Sequence, residues 1–407
     1  MRKILGQASW LFIAQVLTRM IGFIYTIFLA RNLGVSDFGL YSAVLAYFSL
    51  FSSISEFGFN RYLITELAVD KLKVSQLLFS VSLLRTTIVS VLFAIFATLL
   101  YFLDPEKIRV SLVLLATLAV FPQALALTID SIFVAFKKLE YSALAMVGLS
   151  ISTSIIGVIF ILSGLNIRGV VLALIFGQII YFLILGIFLR WQKLGLNMQV
   201  SLELLKKIIW GSLPYGFVGV LGLLYFKIDT LILNYLKGNY DSGIYSAGYK
   251  FLESLIFVPS ALSTALFPNI VSLINKDPKR VYQIYIKSTV FLFVLSIVIV
   301  GAYLFFLPMI ITYLLPQYVK AIEVVKILSL TIPFMFMISP QGIILFSDKK
   351  FLKFLTVFSI FNLILNISLN FYLIPKFGYF GSAWSTLVSD VLGFVVFFFY
   401  IRVKLLK

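Results

Sequence analysis

The sequence predicts an all-α integral membrane protein with twelve transmembrane helices in two parallel-repeat six-helix bundles. Three observations predict it. Of 407 residues, 61% are hydrophobic and only 12% are charged, whereas a soluble protein is about half apolar and about a quarter charged. The apolar residues come in continuous runs of about twenty or more, the length that crosses a bilayer as a helix. A ten-residue phrase recurs 204 residues further along the chain. Too few charges remain to cover a soluble surface, so a soluble enzyme, a nucleic-acid binder and a disordered chain are excluded despite a net charge of +17. There is no Cys and no His. Disulfides, thiolate metal sites and the usual imidazole proton shuttle are therefore absent. Any ion chemistry must use Asp, Glu or backbone carbonyls, and no cofactor is expected beyond Na+ or H+ coupling.

The spans run near residues 4–31, 38–58, 76–103, 110–136, 141–164, 168–190, 207–236, 243–270, 286–307, 322–346, 351–374 and 378–403. The start, MRKILGQASWLFIAQVL, has the charged head and apolar run of a signal peptide. The apolar pattern continues to about Leu33 without a clear cleavage site, so the segment reads as the first span. Membrane strands are a poor reading, because they alternate apolar and polar residues over about ten positions. Pro122, Pro214, Pro259, Pro333 and Pro340 fall inside spans, where neighbouring helices satisfy the freed backbone groups.

Placing the N-terminus in the cytoplasm puts 21 of the 33 Lys and Arg residues on inside segments and 8 on outside segments. That bias fixes both termini inside. Four positive charges, Arg19, Arg85, Lys227 and Lys250, fall within spans.

The repeat pairs GVSDFGLYSA at 34–43 with GNYDSGIYSA at 238–247, identical at six of ten positions. A second match, offset by 212, pairs Lys137-Lys138 with Lys349-Lys350 and Gly169 with Gly381. Two matches in the same order imply duplication, with bundles at 1–200 and 201–407. An even number of spans per copy keeps both copies in one orientation, as in transporters whose site lies between their halves.

Three phrases carry a family likeness. ARNLGVSDFGLYS with SEFGFNRYLITELA at 55–68 resembles the first hairpin of polysaccharide and O-antigen lipid flippases. LPYGFVGVLGLLYFKIDTLIL and GIYSAGYKFLESLIFVPSALSTALFP, within 213–268, resemble the central region of that family, and LIPKFGYFGSAWSTLVSD at 373–390 its closing hairpin. The family belongs to the multidrug/oligosaccharidyl-lipid/polysaccharide exporter superfamily. The resemblance implies a V-shaped pair of bundles working by alternating access. It also implies an undecaprenyl diphosphate-linked oligosaccharide, of O-antigen or capsule type, moved from the cytoplasmic to the outer leaflet of the bacterial inner membrane. Related lipid II flippases carry two further C-terminal spans, which are not seen in this sequence.

A charge at the bilayer centre costs about 2.5–3.5 kcal/mol or more, so it faces a partner or a wet cavity. Arg19, Arg85, Lys227 and Lys250 are the expected diphosphate-binding residues, with Arg61 receiving the headgroup at the inner leaflet. Arg grips a diphosphate bidentately and Lys acts as a point charge. The competing assignment is structural pairing or snorkelling. Lys250 and Glu253, three residues apart, share one helix face. Return of the empty carrier calls for a cation, and Asp229, Glu253 and Asp130 are the expected ion-coupling carboxylates, among intramembrane candidates that include Glu56 and Asp390. Asn362, Asn366 and Asn370 recur at spacing four and read as interhelical glue.

No nucleophile constellation and no phosphate-binding glycine loop appears, so neither catalysis nor direct ATP use is expected. The expected partners are the lipid-linked oligosaccharide and the bilayer, with a polysaccharide polymerase and a chain-length regulator. The alternatives are a drug/cation antiporter of the same fold and a membrane polysaccharide polymerase or ligase.

Overall fold

The computed structural model describes residues 2–192, 200–347 and 349–406. Lys193 and Lys407, counted among the inside charges, lie outside the described residues, as do the side chains of Arg2, Lys3, Lys349 and Lys350. The described residues contain no strand. Hydrocarbon offers no partner to backbone N–H and C=O groups, so an apolar run satisfies them within its own helix.

The first helices are α1 (Arg2–Glu56), α2 (Phe59–Val69), α3 (Val74–Leu103), α4 (Lys107–Thr117), α5 (Val120–Ala135), α6 (Leu139–Leu162) and α7 (Asn166–Trp191). They are followed by α8 (Leu202–Leu255), α9 (Phe257–Leu273), α10 (Pro278–Leu314), α11 (Ala321–Ser329), α12 (Ile332–Ser347), α13 (Lys349–Phe377) and α14 (Tyr379–Leu406). Among the described residues nine helical stretches are long and apolar enough to cross a membrane, or ten if α11 and α12, bent by 45°, form one span. Two of the nine, Trp10–Val69 and Gly219–Leu273, have 60 and 55 residues, well beyond the length one crossing needs. The twelve expected crossings are a count of spans, and these two stretches are where spans and helices are counted differently.

Both double-length helices contain the same break. Gly34 has φ 77° and ψ 170°, and Gly238 has φ 83° and ψ −170°. Only glycine occupies this region without strain. The residues are equivalent positions of the repeated phrase, so the duplication is legible in backbone geometry as well as in sequence. The segments expected as loops around 32–37 and 237–242 are helical on both sides of these glycines.

The chain forms two compact units. Unit 1 holds residues 1–33 and 43–224, and unit 2 holds 34–42 and 225–407. By compactness, therefore, residues 34–42 group with the second copy and 201–224 with the first. In unit 1, Phe59, Leu63, Leu67, Val81, Phe133 and Leu185 form a core at most 1% exposed, apart from outer members. In unit 2 the corresponding core gathers Ile270, Val281, Tyr285, Ile344 and Ile401. Large apolar side chains such as Phe102, Val298 and Phe305 point outward and are exposed. In water such a surface would aggregate, whereas against lipid tails it is the expected coat.

Glycine also permits close crossings inside each unit. A Cβ on Gly39 would overlap the Asn239 carbonyl, and one on Gly243 would overlap that of Val35. In unit 1, a Cβ on Gly58 would overlap the backbone of Ser212 and Gly216.

Candidate functional site

The densest polar cluster of unit 2 is built on three helices. The second half of α8 carries Tyr225 and Asp229 one turn apart, α13 carries Asn366 and Asn370, and α14 carries Thr386 and Asp390. Spacings of four bring each pair to one helix face. Asp229, 4% exposed, accepts three hydrogen bonds. Asn370 Nδ2 donates to its Oδ1 at 2.7 Å, and Thr386 Oγ1 and Tyr245 Oη donate to its Oδ2 at 2.7 Å and 3.1 Å. Asn370 Nδ2 also reaches the Asn366 Oδ1 at 3.1 Å. Tyr225 Oη donates to Asp390 Oδ1 at 2.7 Å. Among the described residues no ion pair reaches Asp229 or Asp390. The Oδ1 atoms of Asn362 and Asn370 are buried without a hydrogen-bond partner among the described residues. These carboxylate, amide and hydroxyl oxygens form the donor set a hard monovalent cation takes.

The two basic residues expected within spans of unit 2, Lys227 and Lys250, lie on the same helix. Glu253 pairs with Lys227 at 3.3 Å and with Lys250 at 2.9 Å. The Lys227, Lys250 and Glu253 side chains are 25%, 38% and 34% exposed. Two ammonium groups on one carboxylate leave an excess of one positive charge at a partly open position. Tyr245 stacks on Tyr249, ring centroids 5.6 Å apart, and Tyr249 precedes Glu253 by one turn. Lys227 and Asp229 lie in the half of α8 before the Gly238 break, and Tyr245, Tyr249, Lys250 and Glu253 in the half after it.

In unit 1 the structure encloses Arg85. Its Nη1 donates to the Ala124 carbonyl at 2.8 Å and to Thr128 Oγ1 at 3.1 Å, and its Nη2 donates to Asn60 Oδ1 at 2.5 Å. Glu56 lies 3.7 Å away, and the Phe59 ring stacks under the guanidinium at 5.5 Å. Glu56 in turn accepts the Gly58 and Asn60 N–H groups at 3.0 Å and 2.9 Å. Between them lie Phe57 and Gly58, both with positive φ. The group therefore holds the break between α1 and α2, and the buried guanidinium is bound through both Nη atoms, its Nε having no hydrogen-bond partner among the described residues.

Arg19 and Arg61 are exposed on α1 and α2. Asp130 on α5 has a buried Oδ1 without a hydrogen-bond partner among the described residues, as does Ser142 Oγ on α6. The expected ion-coupling residues are thus dispersed. Asp229 sits in the oxygen cluster, Glu253 between two lysines, and Asp130 in the other unit. Sequence reasoning missed Tyr225, Tyr245 and Thr386, and gave the asparagine stripe only a packing role. The available signal was the shared spacing of four in Tyr225/Asp229, Asn366/Asn370 and Thr386/Asp390.

A duplicated helical fold with an apolar exterior, buried carboxylates that no Lys or Arg pairs with among the described residues, and a net positive Lys–Glu–Lys group is that of a polytopic membrane transporter. The chain belongs to the polysaccharide biosynthesis protein family, which matches residues 4–274. This is the family expected from the three sequence phrases, within the multidrug/oligosaccharidyl-lipid/polysaccharide exporter superfamily. The MatE family also matches, over residues 214–372. The chain is 24% identical to a probable flippase, AglR, of Haloferax volcanii, over 97% of this chain and 83% of that protein. It is 26% identical to an uncharacterized membrane protein, MJ1068, of Methanocaldococcus jannaschii, over 97% and 82%. An inward-facing multidrug resistance MATE family transporter superposes with a TM-score of 0.76 at 15% identity, covering 95% of this chain and 94% of that one. The lipid II flippase MurJ in an inward closed conformation superposes with a TM-score of 0.74 at 16% identity, covering 96% and 87%. These likenesses show the fold.

Proposed function

We propose that this protein moves an isoprenyl diphosphate-linked oligosaccharide from the cytoplasmic to the outer leaflet by alternating access, coupled to a monovalent cation. The observation that carries the reading is the division of labour along α8. A partly open, net positive triad of Lys227, Lys250 and Glu253 suits a diphosphate, and a buried oxygen cluster around Asp229 suits a small cation. Family membership and the probable flippase of Haloferax volcanii support the lipid-linked saccharide. Arg19 and Arg61, exposed on α1 and α2, are the further headgroup contacts in this reading. Arg85 positions the Phe57–Gly58 break that Arg61 follows. Asp130 is a second ion-coupling carboxylate, in unit 1.

Undecaprenyl diphosphate and an O-antigen or capsule repeat unit remain the proposed cargo, in a bacterial inner membrane with both termini cytoplasmic. A polymerase and a chain-length regulator would act on the product. The test is complementation of a flippase-null strain. Restored surface glycan is the expected result, and glycan that stays on its lipid in the inner leaflet overturns the reading.

The buried Asp229 and Asp390 favour a second reading, a cation/drug antiporter. A cationic drug would be held by those carboxylates, so Lys227→Ala with Lys250→Ala would leave drug efflux intact, whereas the first reading expects that variant to lower glycan export.

A further inference from the structure

The core of unit 2 draws several helix ends together. Ile274 follows the end of α9, Val281 and Tyr285 open α10, Ile344 and Leu345 close α12, Phe351 and Phe354 open α13, and Ile401 and Leu405 close α14. The same ends carry Lys276, Lys279 and Arg280 at the α9–α10 turn, Lys353 on α13, and Arg402 and Lys404 on α14, all exposed. Among the described residues none of these cations forms an ion pair. The carboxylate at the α9–α10 turn, Asp277, is spent as the cap of α10, accepting the Arg280 N–H at 3.0 Å.

The inside segments of unit 1 are better matched. Lys73 pairs with Asp70 at 3.1 Å and Lys207 with Glu66 at 3.7 Å. Lys138 donates to Gln192, and Lys71 lies over the Phe136 ring at 5.5 Å. The positive-inside bias accounts for the sign of both groups, and it does not account for one being matched and the other not. On α14 the unmatched charge meets an apolar surface. Phe399, Val403 and Leu406 follow one another at spacings of four and three, and Arg402 lies among them. The three apolar side chains are 58%, 48% and 47% exposed. Together the four residues line an open trough of about 280 Å³. Apolar coat residues need only lipid tails, whereas a guanidinium among them needs an anion.

We propose that this trough binds one anionic phospholipid, with an acyl chain along Phe399, Val403 and Leu406 and the phosphate on Arg402. A guanidinium takes a phosphate through two parallel hydrogen bonds. Lys276, Lys279, Arg280, Lys353 and Lys404 supply the summed positive field that selects an acidic headgroup over a zwitterionic one. A soluble anion would use the same cations and gain nothing from the apolar trough, so the lipid is the occupant that uses both. The proposed topology puts this end of unit 2 at the cytoplasmic leaflet, whose acidic lipids such basic clusters attract. The site is independent of the cargo.

The test is native mass spectrometry of the purified full-length protein, released from detergent micelles that contain phosphatidylglycerol and phosphatidylcholine in equal amounts. One phosphatidylglycerol molecule retained in preference to phosphatidylcholine is the expected result. Arg402→Ala should lower that retention about tenfold or more, the worth of a charge-assisted contact. Val403→Asp, which sets a carboxylate beside Arg402, should lower it as well. Lys206→Ala, at an exposed cation of unit 1, should leave it unchanged. Glycerol phosphate in excess, a headgroup without chains, should not displace the lipid from the unmodified protein, a readout that needs no variant to fold. Equal retention of the two lipids, unchanged retention by Arg402→Ala, an equal loss in Lys206→Ala, or displacement by glycerol phosphate overturns the site. None of these measurements involves export, so failure of the lipid site leaves the flippase reading standing, and failure of complementation leaves the lipid site standing.

Discussion

Arg85 and Lys227 were equivalent in the sequence, as basic residues within apolar spans, and the structure gives them opposite surroundings. Arg85 is fully buried and spends its donors on Asn60, Ala124 and Thr128. Its removal empties a buried site and leaves Glu56 without its ion pair. Arg85→Ala should therefore lower stability by about 3 kcal/mol or more, as loss of one partner of a buried ionic group does. Thermal unfolding in detergent reads this. Lys227 and Lys250 are partly open and share one carboxylate. Lys227→Ala with Lys250→Ala should leave the unfolding temperature nearly unchanged, because exposed ion pairs contribute little. Export should fall by about tenfold to a hundredfold, the worth of a lost charge-assisted contact. Equal export by the double variant would show that the triad does not hold the diphosphate. Part of this was legible beforehand, since the spacing of Lys250 and Glu253 anticipates their 2.9 Å pair. The reach of Lys227 to the same carboxylate, 26 residues away, was not.

The elements are shaped by where glycine sits. Gly34 and Gly238 break α1 and α8 at repeat-equivalent points, and the space around them is nearly empty of side-chain contacts. A substitution there meets backbone strain and little steric overlap. Gly238→Ala should cost about 1–3 kcal/mol from that strain alone. Gly243→Ala instead drives a Cβ into the Val35 carbonyl, and should cost about 1–3 kcal/mol through overpacking. Unfolding in detergent tests both, and a neutral Gly243→Ala would mean that the α1–α8 crossing is looser than its geometry. The sequence placed loops at both breaks, because a short polar phrase between apolar runs looks like a connection. One residue in a glycine-only conformation turns the chain while hydrogen-bonded helix continues on either side. Periodicity carries no signal for that difference.

At the scale of the whole molecule the duplication is unequal. The offset of 204 pairs Asp229 with Tyr25 and Tyr245 with Tyr41. Where unit 2 sets a carboxylate among donors, unit 1 sets the Tyr25 ring against Gly157, whose missing side chain makes the room. The Tyr25 hydroxyl is buried without a hydrogen-bond partner among the described residues. Tyr25→Phe should therefore be neutral in export, whereas Asp229→Asn should abolish its cation dependence, both measured in the complementation assay. The positive-inside bias makes a further prediction about the whole chain, and the absence of Cys makes it direct to test. Lys73→Cys should react with an impermeant thiol reagent only from the cytoplasmic side, and Lys107→Cys only from outside. The reverse pattern would invert the proposed direction of transport.

The sequence by itself determined that this is a duplicated, all-helical membrane protein of the polysaccharide exporter kind. Hydrophobic length, charge placement and internal repetition are properties read along one dimension, and the bilayer enforces helix wherever they occur. Which charge meets which was decided by the tertiary structure alone. Arg85 and Lys227 differ because their helices turn different faces to their neighbours. In a span apolar on all sides no hydrophobic stripe records that rotation. Asp229 and its amide and hydroxyl donors come together only when α8, α13 and α14 pack, and the same packing sets Asp390 against Tyr225.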